Sequence, residues 1–275
     1  MDDPIEKAVR RAIATMHEKL GEQLTVDDMA RAAMLSKFHF TRVFQQVTGV
    51  TPGRFLSALR LQRAKRLLVS TSLKVADISM RVGYNSVGTF SSRFTRSVGM
   101  PPTAYRRLAG FAARIATDPD YRMGHPHSAR VHGHVRAPES HADSPVFLGL
   151  FPDRIPEGQP VRCTILPRPG PYQLDCVPPG NWFVLAQSVN GEPDADLDAG
   201  DGDQTVCVAT CGPLHIRGDG VVPADVDLQP VRAMDPPVLL ALLDQRKLAL
   251  ARAAEERVGA VSSIGAATAS GRSAA

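Results

Sequence analysis

The sequence predicts an α + β multidomain chain. An all-α double helix-turn-helix domain is followed by an antiparallel β-sandwich and a C-terminal helix. Three observations lead to this prediction. One sequence pattern occurs twice within residues 1–110, short apolar runs alternate with Gly- and Pro-rich turns in residues 129–235, and the net charge changes sign between the two halves.

The repeat aligns SKFHFTRVFQQVTGVTPGRFL, from residue 36, with SVGTFSSRFTRSVGMPPTAYR, from residue 86, without a gap. The matched positions are Ser36 with Ser86, Phe40 with Phe90, Phe44 with Phe94, Gly49 with Gly99, Pro52 with Pro102, and Phe55 with Tyr105. Such a repeat is usually one supersecondary unit copied, and two copies are too few for a solenoid. We therefore expect two small modules in tandem.

Each copy carries the signals of two short helices joined by a tight turn. In the first copy, Thr25 and Asp28 have capping-box spacing, Ser36 is a candidate cap for the second helix, and Gly49 can end it. In the second copy, Gly83 lies in the turn, where a positive φ is often needed. Two short helices with so short a connection form the DNA-binding helix-turn-helix unit.

A longer helix is predicted between the two copies. Thr51 is its candidate cap and Pro52 occupies its first position, where proline is favoured. Its apolar residues, Phe55, Leu59 and Ala64 among them, recur at helical spacing. A continuous helix here would fix the distance between the two units.

Helical periodicity separates a core face from a DNA face in the second helix of the first copy. Phe40, Val43, Phe44 and Val47 share the core side. The predicted DNA-binding residues on and beside the other face are Lys37, Phe38, Thr41, Arg42 and Gln45. Arginine can pair with guanine and glutamine with adenine, while aromatic or threonine methyl groups can contact the thymine methyl. Packing of Phe38 against another helix is the alternative.

The second copy presents shorter side chains on the equivalent face. Its predicted DNA-binding residues are Ser86, Val87, Gly88, Ser91, Ser92 and Arg96. Arg96 is the one long base-reading side chain in this set. We expect the first helix to read more bases and the second to dock mainly through phosphates, which positions a protein without specifying sequence.

Residues 1–108 resemble the DNA-binding domain of the AraC/XylS family of transcription regulators. The resemblance is carried by DDMARAAMLSKFHFTRVFQQVTGVTPGRF and ISMRVGYNSVGTFSSRFTRSVGMPPTAYRR. It implies seven helices, with two recognition helices in successive major grooves, about 34 Å apart. The base-contacting positions that it implies are Phe38, Thr41, Arg42, Val87, Gly88 and Ser92.

The sequence departs from that family pattern at four positions. Met34 stands where a turn glycine is common and Ser79 where an alanine is common. Gly88 and Ser92 replace the Gln or Arg often found in the second helix. These differences leave the target DNA sequence undetermined.

The charge distribution agrees with a nucleic-acid partner for the first half. Residues 1–110 carry 18 Lys and Arg against 8 Asp and Glu, a net charge of +10, whereas the rest of the chain has −6. Double-stranded DNA is the expected partner. The basic residues outside the recognition helices, some of which should hold phosphates, are Lys19, Arg60, Arg63, Lys65, Arg66, Arg106 and Arg107. RNA polymerase, a small-molecule effector and a second copy of the chain remain open as partners.

The sequence pattern of the second half predicts β-strands. The candidates are ARVHGHV, PVFLGLF, VRCTILP, YQLDCVP, WFVLAQSV, TVCVAT and GPLHIR, with turn signals between them. Residues 129–230 resemble the prealbumin-like domain known from carboxypeptidase regulatory regions, which implies an accessory β-sandwich. The expected organisation is a DNA-binding domain at 1–110, a linker at 111–128, the sandwich at 129–235, a helix at 236–258 and a disordered tail at 259–275.

Three features of the second half suggest other chemistry. His132 and His134, in a group with His125, His127 and His141, could suit a metal, although exposed strand histidines explain them as well. A hairpin would place Cys163 opposite Cys176, as a redox pair requires, but buried thiols are the default. The acidic stretch 194–204 does not meet the order of a calcium loop and favours a solvated loop.

No catalytic motif is present, so we expect no enzyme activity, no cofactor and no resident metal. No apolar run is long enough for a membrane span, and a cytoplasmic location is expected. The leading hypothesis is a sequence-specific transcription regulator that reads DNA with helices 36–48 and 86–98. The alternatives are a DNA-binding module fused to a ligand- or carbohydrate-binding sandwich, or an uncharacterised enzyme.

Overall fold

The computed structural model describes residues 3–110, 129–155, 157–190 and 206–239. Its first part is helical. The helices are α1 (Pro4–Glu18), α2 (Val26–Ala33), α3 (Lys37–Thr48), α4 (Pro52–Ser70), α5 (Val75–Arg81), α6 (Val87–Val98) and α7 (Pro102–Arg107). The seven helices implied by the family resemblance are therefore found within residues 3–110.

The sequence repeat is a repeat of packing. In the first unit, the Phe44 ring packs between those of Phe40 and Phe55, with each of their centroids 5.4 Å away. In the second unit, Phe94 lies 5.6 Å from both of its aromatic neighbours, which are Phe90 and Tyr105. These aromatic residues are all buried, so equivalent residues of the two copies form equivalent parts of the helical core.

The predicted helix boundaries follow from specific caps. Thr25 and Asp28 form the capping box, and the hydrogen bond from Thr25 lowers the pKa of Asp28. Gly49 ends α3 with φ of 77°, a conformation that glycine adopts without strain. Ser86 accepts a hydrogen bond from the Thr89 amide, whereas its counterpart Ser36 caps α3 without a side-chain hydrogen bond.

Two β-sheets follow the helices. The strands are β1 (Ala129–Arg136), β2 (Val146–Phe151), β3 (Arg162–Leu166), β4 (Pro171–Val177), β5 (Gly180–Val189), β6 (Val206–Ile216), β7 (Val221–Pro223), β8 (Val226–Asp227) and β9 (Gln229–Pro230). One sheet has the order β4-β1-β7, with β8 also pairing with β1, and the other has the order β3-β2-β5-β6-β9. A buried apolar cluster contains residues of both sheets, so they share one core.

The strand pattern differs from the sequence prediction in three ways. The candidates TVCVAT and GPLHIR form the single strand β6, whose pairing with β5 shifts register near Trp182. The short strands β7, β8 and β9 lacked a sequence signal because each has only two or three residues. The β1–β7 and β1–β8 pairings are parallel, while the other pairings are antiparallel.

The predicted hairpin that would pair Cys163 with Cys176 is wrong. Strand β3 pairs with β2 in one sheet, where Cys163 lies opposite Gly149, and β4 pairs with β1 in the other sheet. The intervening turn therefore connects two layers instead of two neighbouring strands. All four cysteines are free thiols, and Cys207 is buried in the sandwich core.

Several predicted segments lie outside the described residues. They are the linker at 111–128, the acidic stretch at 194–204, the greater part of the C-terminal helix at 236–258, and the tail at 259–275. Residues 236–239 are described and are not helical, so the proposed helix does not begin at residue 236. Pro236 and Pro237 lack the amide protons that a helix interior requires, although proline is tolerated in a first turn.

The helical core is completed by residues from the second half of the chain. Ile155, Met234 and Leu239 belong to the same buried cluster as the aromatic residues of α3 and α6. Lys65 on α4 donates a hydrogen bond to the Leu239 carbonyl at 2.9 Å. The two halves are thus joined by apolar packing as well as by the chain.

Candidate nucleic-acid interface

The first recognition helix, α3, turns its predicted core residues inward and its predicted DNA residues outward. Phe40, Val43 and Phe44 are at most 3% exposed. Phe38 is 87% exposed, so it does not pack against another helix within the described residues. Arg42 and Gln45 are also exposed, and Thr41 is partly so. A large aromatic side chain left in solvent on this face is available for an apolar contact with a partner.

Lys37 lies at the start of α3 and forms an ion pair with Asp27 of α2 at 2.8 Å. Both side chains are about half exposed, and exposed pairs of this kind contribute little stability. The lysine could therefore exchange the carboxylate for a phosphate oxygen at low cost.

The second recognition helix, α6, presents a smoother surface. Ser86, Gly88, Ser92 and Arg96 are exposed, Ser91 is partly buried, and Val87 is 40% exposed. A Cβ placed on Gly88 would meet only the Ser86 side chain within 4 Å, at 3.6 Å. The small residues therefore leave the backbone of this helix open to close approach.

Helix α4 fixes the two units relative to each other. Arg60 donates from Nε to the Leu20 carbonyl at 3.0 Å and from Nη2 to the Glu22 carbonyl at 2.6 Å. Gln23 then reaches Asn85 in the turn of the second unit, with Nε2 2.8 Å from Oδ1. The loop before α2 is thus held between α4 and the second unit.

Three of the expected phosphate-binding residues have structural contacts instead. Arg60 holds the loop before α2, and Arg106 donates to the carbonyls of Leu68 and Leu73 at 3.1 and 2.5 Å. Lys65 faces the Leu239 carbonyl and lies over the Tyr105 ring, 5.9 Å from its centroid. Burial lowers the pKa of Lys65 to about 8. Sequence alone could not separate these residues from surface cations.

A loop of the sheet region reaches the C-terminal ends of both recognition helices. Glu157 accepts hydrogen bonds from Arg54 of α4 and from the Ser97 hydroxyl near the end of α6, both at 2.8 Å. Asp153 is a second ion-pair partner of Arg54. The Gly158 amide donates to the Ser97 carbonyl at 2.9 Å. These acidic residues carried no sequence signal because their partners lie 60 to 103 positions away.

The contacts leave the N-terminal ends of α3 and α6 uncovered by the described sheet region. Residues near these ends, such as Phe38, Val87 and Gly88, are exposed. In helix-turn-helix proteins the N-terminal residues of the recognition helix contact base edges. The sheet region and a DNA duplex could therefore occupy opposite ends of the same helices.

The proposed histidine group is described only in part, because His125 and His127 lie outside the described residues. No group of three or more metal-ligating side chains occurs among the residues that are described. His132 and His134 are exposed, whereas His141 is fully buried with Nδ1 3.1 Å from the Ser188 hydroxyl. None of the described helices has the length and apolarity to cross a membrane.

Comparison with known proteins finds similarity in the helical part of the chain. A family profile described as a helix-turn-helix domain matches residues 29–108. The chain is 34% identical over 101 residues to an uncharacterised HTH-type transcriptional regulator, YbfP, of Bacillus subtilis. It is 30% identical over 101 residues to the melibiose operon regulatory protein of Escherichia coli. These matches cover 37% of this chain and 34% and 33% of those proteins.

The chain thus spans about a third of the length of these curated relatives. Among solved structures, the AraC-type regulator from Chromobacterium violaceum is 29% identical, with a TM-score of 0.37, and covers 38% of this chain and 93% of that chain. The DNA-binding domain of AdpA, solved with a target DNA, is 32% identical, with a TM-score of 0.36. That match covers 39% of this chain and 93% of the AdpA chain. Residues 29–108 thus match a helix-turn-helix domain.

Proposed function

We propose that this chain is a DNA-binding transcription regulator that reads two successive major grooves through α3 and α6. The observation that carries the proposal is the exposed face of α3, where Phe38, Arg42 and Gln45 stand in solvent opposite an aromatic core. These side-chain types can read thymine, guanine and adenine respectively. Two relatives that match over about 100 residues are named as operon regulators and support the same class of function. They are the lactose operon transcription activator of Staphylococcus xylosus and the melibiose operon regulatory protein of Escherichia coli.

The proposed division of labour follows the side chains. Helix α3 supplies base-reading residues, with Lys37 and Thr41 beside them, while α6 approaches the duplex through Ser86, Ser91 and Ser92. Short hydroxyl side chains and open backbone suit phosphate contacts, which position a protein on DNA. Arg96 adds one cation near the end of α6.

The sheet region is proposed to control the DNA-binding half instead of reading DNA. Its net negative charge opposes binding to phosphates. Its contacts with α4 and with the end of α6 give it a route to both units. A cytoplasmic location, RNA polymerase as a further partner, and assembly with a second copy of the chain belong to this proposal.

Selection of genomic fragments by the purified full chain tests the proposal. We expect enrichment of a site with two half-sites about one helical turn apart and a steep loss of affinity with salt, since neutralising several phosphates releases counterions. The full chain is required because Ile155 and Leu239 complete the helical core. Failure to enrich any site, together with salt-independent binding, would exclude a DNA-reading function.

A further inference from the structure

A cavity of about 680 Å³ lies between the end of α3 and the five-stranded sheet. Three parts of the chain form its walls. These are Val47 and Thr48 of α3, strands β2, β5 and β6, and residues between 227 and 238, and Arg154 also lines the cavity. Small-molecule sites commonly have volumes of about 300–1,000 Å³. The proposed contacts with DNA make no use of this cavity.

One wall of the cavity is apolar. Phe147 and Leu185 line it and form a small buried cluster with Phe151, separate from the core between the two sheets. Val47 of α3 faces the same space and is only partly buried. Such a wall fits a flat or branched apolar group, because removing that group from water is favourable.

The charged residues around the cavity are neutralised, with one exception among the described residues. Arg232 pairs with Asp235 at 3.0 Å, and Asp227 pairs with Arg136. Arg154 is exposed and has no carboxylate within ion-pair distance of its guanidinium in the described parts of the chain. An arginine at the edge of an apolar cavity can bind a carboxylate through two parallel hydrogen bonds.

The position of this arginine is set by packing. Its guanidinium carbon lies 5.7 Å from the centroid of the Phe183 ring. Its side chain also crosses Gly49, because a Cβ added to that glycine would lie 2.7 Å from the Arg154 Cδ and Nη1 atoms. The cation is thus held between the sheet and the end of α3.

Gln187 supplies a second polar group. It lines the cavity, and its Oε1 atom is buried without a hydrogen-bond partner among the described residues. Leaving a buried acceptor unpaired is unfavourable, so a bound molecule that donates a hydrogen bond to it would be favoured.

We propose that this cavity binds a small organic acid with an aromatic body and a hydrogen-bond donor, and that this acid is the effector of the regulator. The carboxylate pairs with Arg154, the ring packs on Phe147 and Leu185, and the donor reaches Gln187. Binding of a ligand here stands independently, while its role as an effector rests on the proposed DNA-binding function.

Helix α3 connects the cavity to the proposed DNA-binding surface. Val47 and Thr48 line the cavity one turn beyond Gln45, and Gly49 lies under Arg154. A ligand that engages Arg154 therefore acts on the end of the helix whose other face is proposed to read bases. Such a ligand changes DNA affinity only to the extent that it prefers one position of α3 over another.

Calorimetric titration of the full chain without DNA tests the site. The probes are 4-hydroxybenzoate, 4-hydroxyphenylacetate and 3-(4-hydroxyphenyl)propionate, which place the carboxylate and the hydroxyl at three separations. The matched amides keep the shape and remove the charge. We expect at least one acid to bind and its amide to bind about tenfold more weakly or worse, because a charge-assisted pair is lost.

Variants locate the binding. R154Q and Q187L should each weaken binding of that acid about tenfold. R154K should restore part of the affinity for the acid and none for the amide. The matched controls are R168Q in the β3–β4 turn and Q173L on β4, which should bind as the wild type does. Unchanged melting temperatures for R154Q and R154K separate loss of the site from loss of folding.

The outcomes separate the two proposals. If none of the three acids binds, or if R154Q and Q187L bind like their controls, the site is refuted while the DNA-binding function stands. If the acid binds as expected and also changes the affinity for the selected DNA site, the effector role is supported. If the acid binds but no DNA is bound with or without it, the site is supported and the effector role is refuted with the proposed function.

Discussion

Arg54 of α4 donates from Nη2 to Oε1 of Glu157 across 2.8 Å, which joins the helix between the two helix-turn-helix units to a loop of the sheet region. Glu157 also accepts a hydrogen bond from the Ser97 hydroxyl near the end of α6. One carboxylate thus contacts the connecting helix and the second recognition helix. A change in the position of this loop would therefore alter contacts of both helices.

Replacing Glu157 with alanine should lower the free energy of unfolding by about 1–3 kcal/mol, because Arg54 loses one acceptor and Ser97 loses its own. Urea titration of E157A measures this change. E139A is the matched control, since Glu139 is exposed in a short 3-10 helix and should be within about 0.5 kcal/mol of wild type. Equal midpoints for the two variants would show that the contact contributes nothing.

Met34 should be replaceable by glycine with a gain in stability. It ends α2 in the left-handed conformation, with φ of 59°, and its side chain is 78% exposed. This conformation costs a residue with a Cβ about 1–2 kcal/mol, and glycine removes that cost. Glycine also gives the unfolded chain more conformational freedom, which lowers the free energy of unfolding by about 0.4–1 kcal/mol. Thermal unfolding should therefore show that the free energy of unfolding of M34G is about 0.5–1 kcal/mol higher than that of the wild type.

Met80 provides the control for that substitution. It is also exposed but lies within α5, where glycine lowers helix stability by about 1 kcal/mol relative to alanine. M80G should therefore be less stable than the wild type. A loss of stability in both variants would contradict the role assigned to the turn at Met34.

Replacing Arg42 should weaken specific DNA binding more than replacing Ser92. Removing an arginine that pairs with a base costs about 1–3 kcal/mol and relaxes specificity at that position. Ser92 has no equivalent reach, so S92A should lose less affinity than R42A. Affinities of R42A and S92A for the selected site and for single-base variants measure both effects. A larger loss for S92A would reverse the proposed roles of α3 and α6.

Stability should depend on pH through Lys65, whose pKa is lowered to about 8 by burial. A lysine in the unfolded chain titrates near 10.4, so between these values the unfolded chain binds more protons than the folded chain. The free energy of unfolding contributed by Lys65 therefore rises as the pH increases through this window. In K65M this contribution is absent.

Urea titrations of the wild type and K65M at pH 7.5, 8.5 and 9.5 measure the effect. The wild type should gain stability relative to K65M with increasing pH. The exposed Lys7 on α1 provides the control variant K7M, which keeps Lys65 and should therefore retain the rise in stability with pH. A constant difference for K65M would show that Lys65 titrates alike in the folded and unfolded chains.

The helical half was largely predictable because its signals are local. Core and solvent faces recur every three to four residues, and caps such as Thr25 and Gly49 act on their neighbouring backbone groups. Helical periodicity placed Phe38 on the polar face, and the structure excluded the alternative that it packs against another described helix. Contacts made by Arg60 and Lys65 did not follow, because a basic residue on a helix looks the same in sequence whether it faces solvent or a carbonyl.

In the sheet half, the positions of most strands could be predicted, but the order in which they pair could not. Alternating apolar residues located β1 to β5 within a residue or two. The order of the strands escaped prediction, because adjacent strands such as β3 and β4 can pair with each other or cross between layers with the same pattern. The assumed Cys163–Cys176 pairing failed at this step.

By itself the sequence determined two copies of a helix-turn-helix unit and the face that each recognition helix presents, since a 3.6-residue period and a cap specify both locally. Only the tertiary structure decided that Glu157 meets Arg54, that Ile155 enters the helical core, and that a cavity forms beside Val47. These depend on residues far apart in the chain, whose encounter is set by the packing of whole layers and leaves no local periodicity to read.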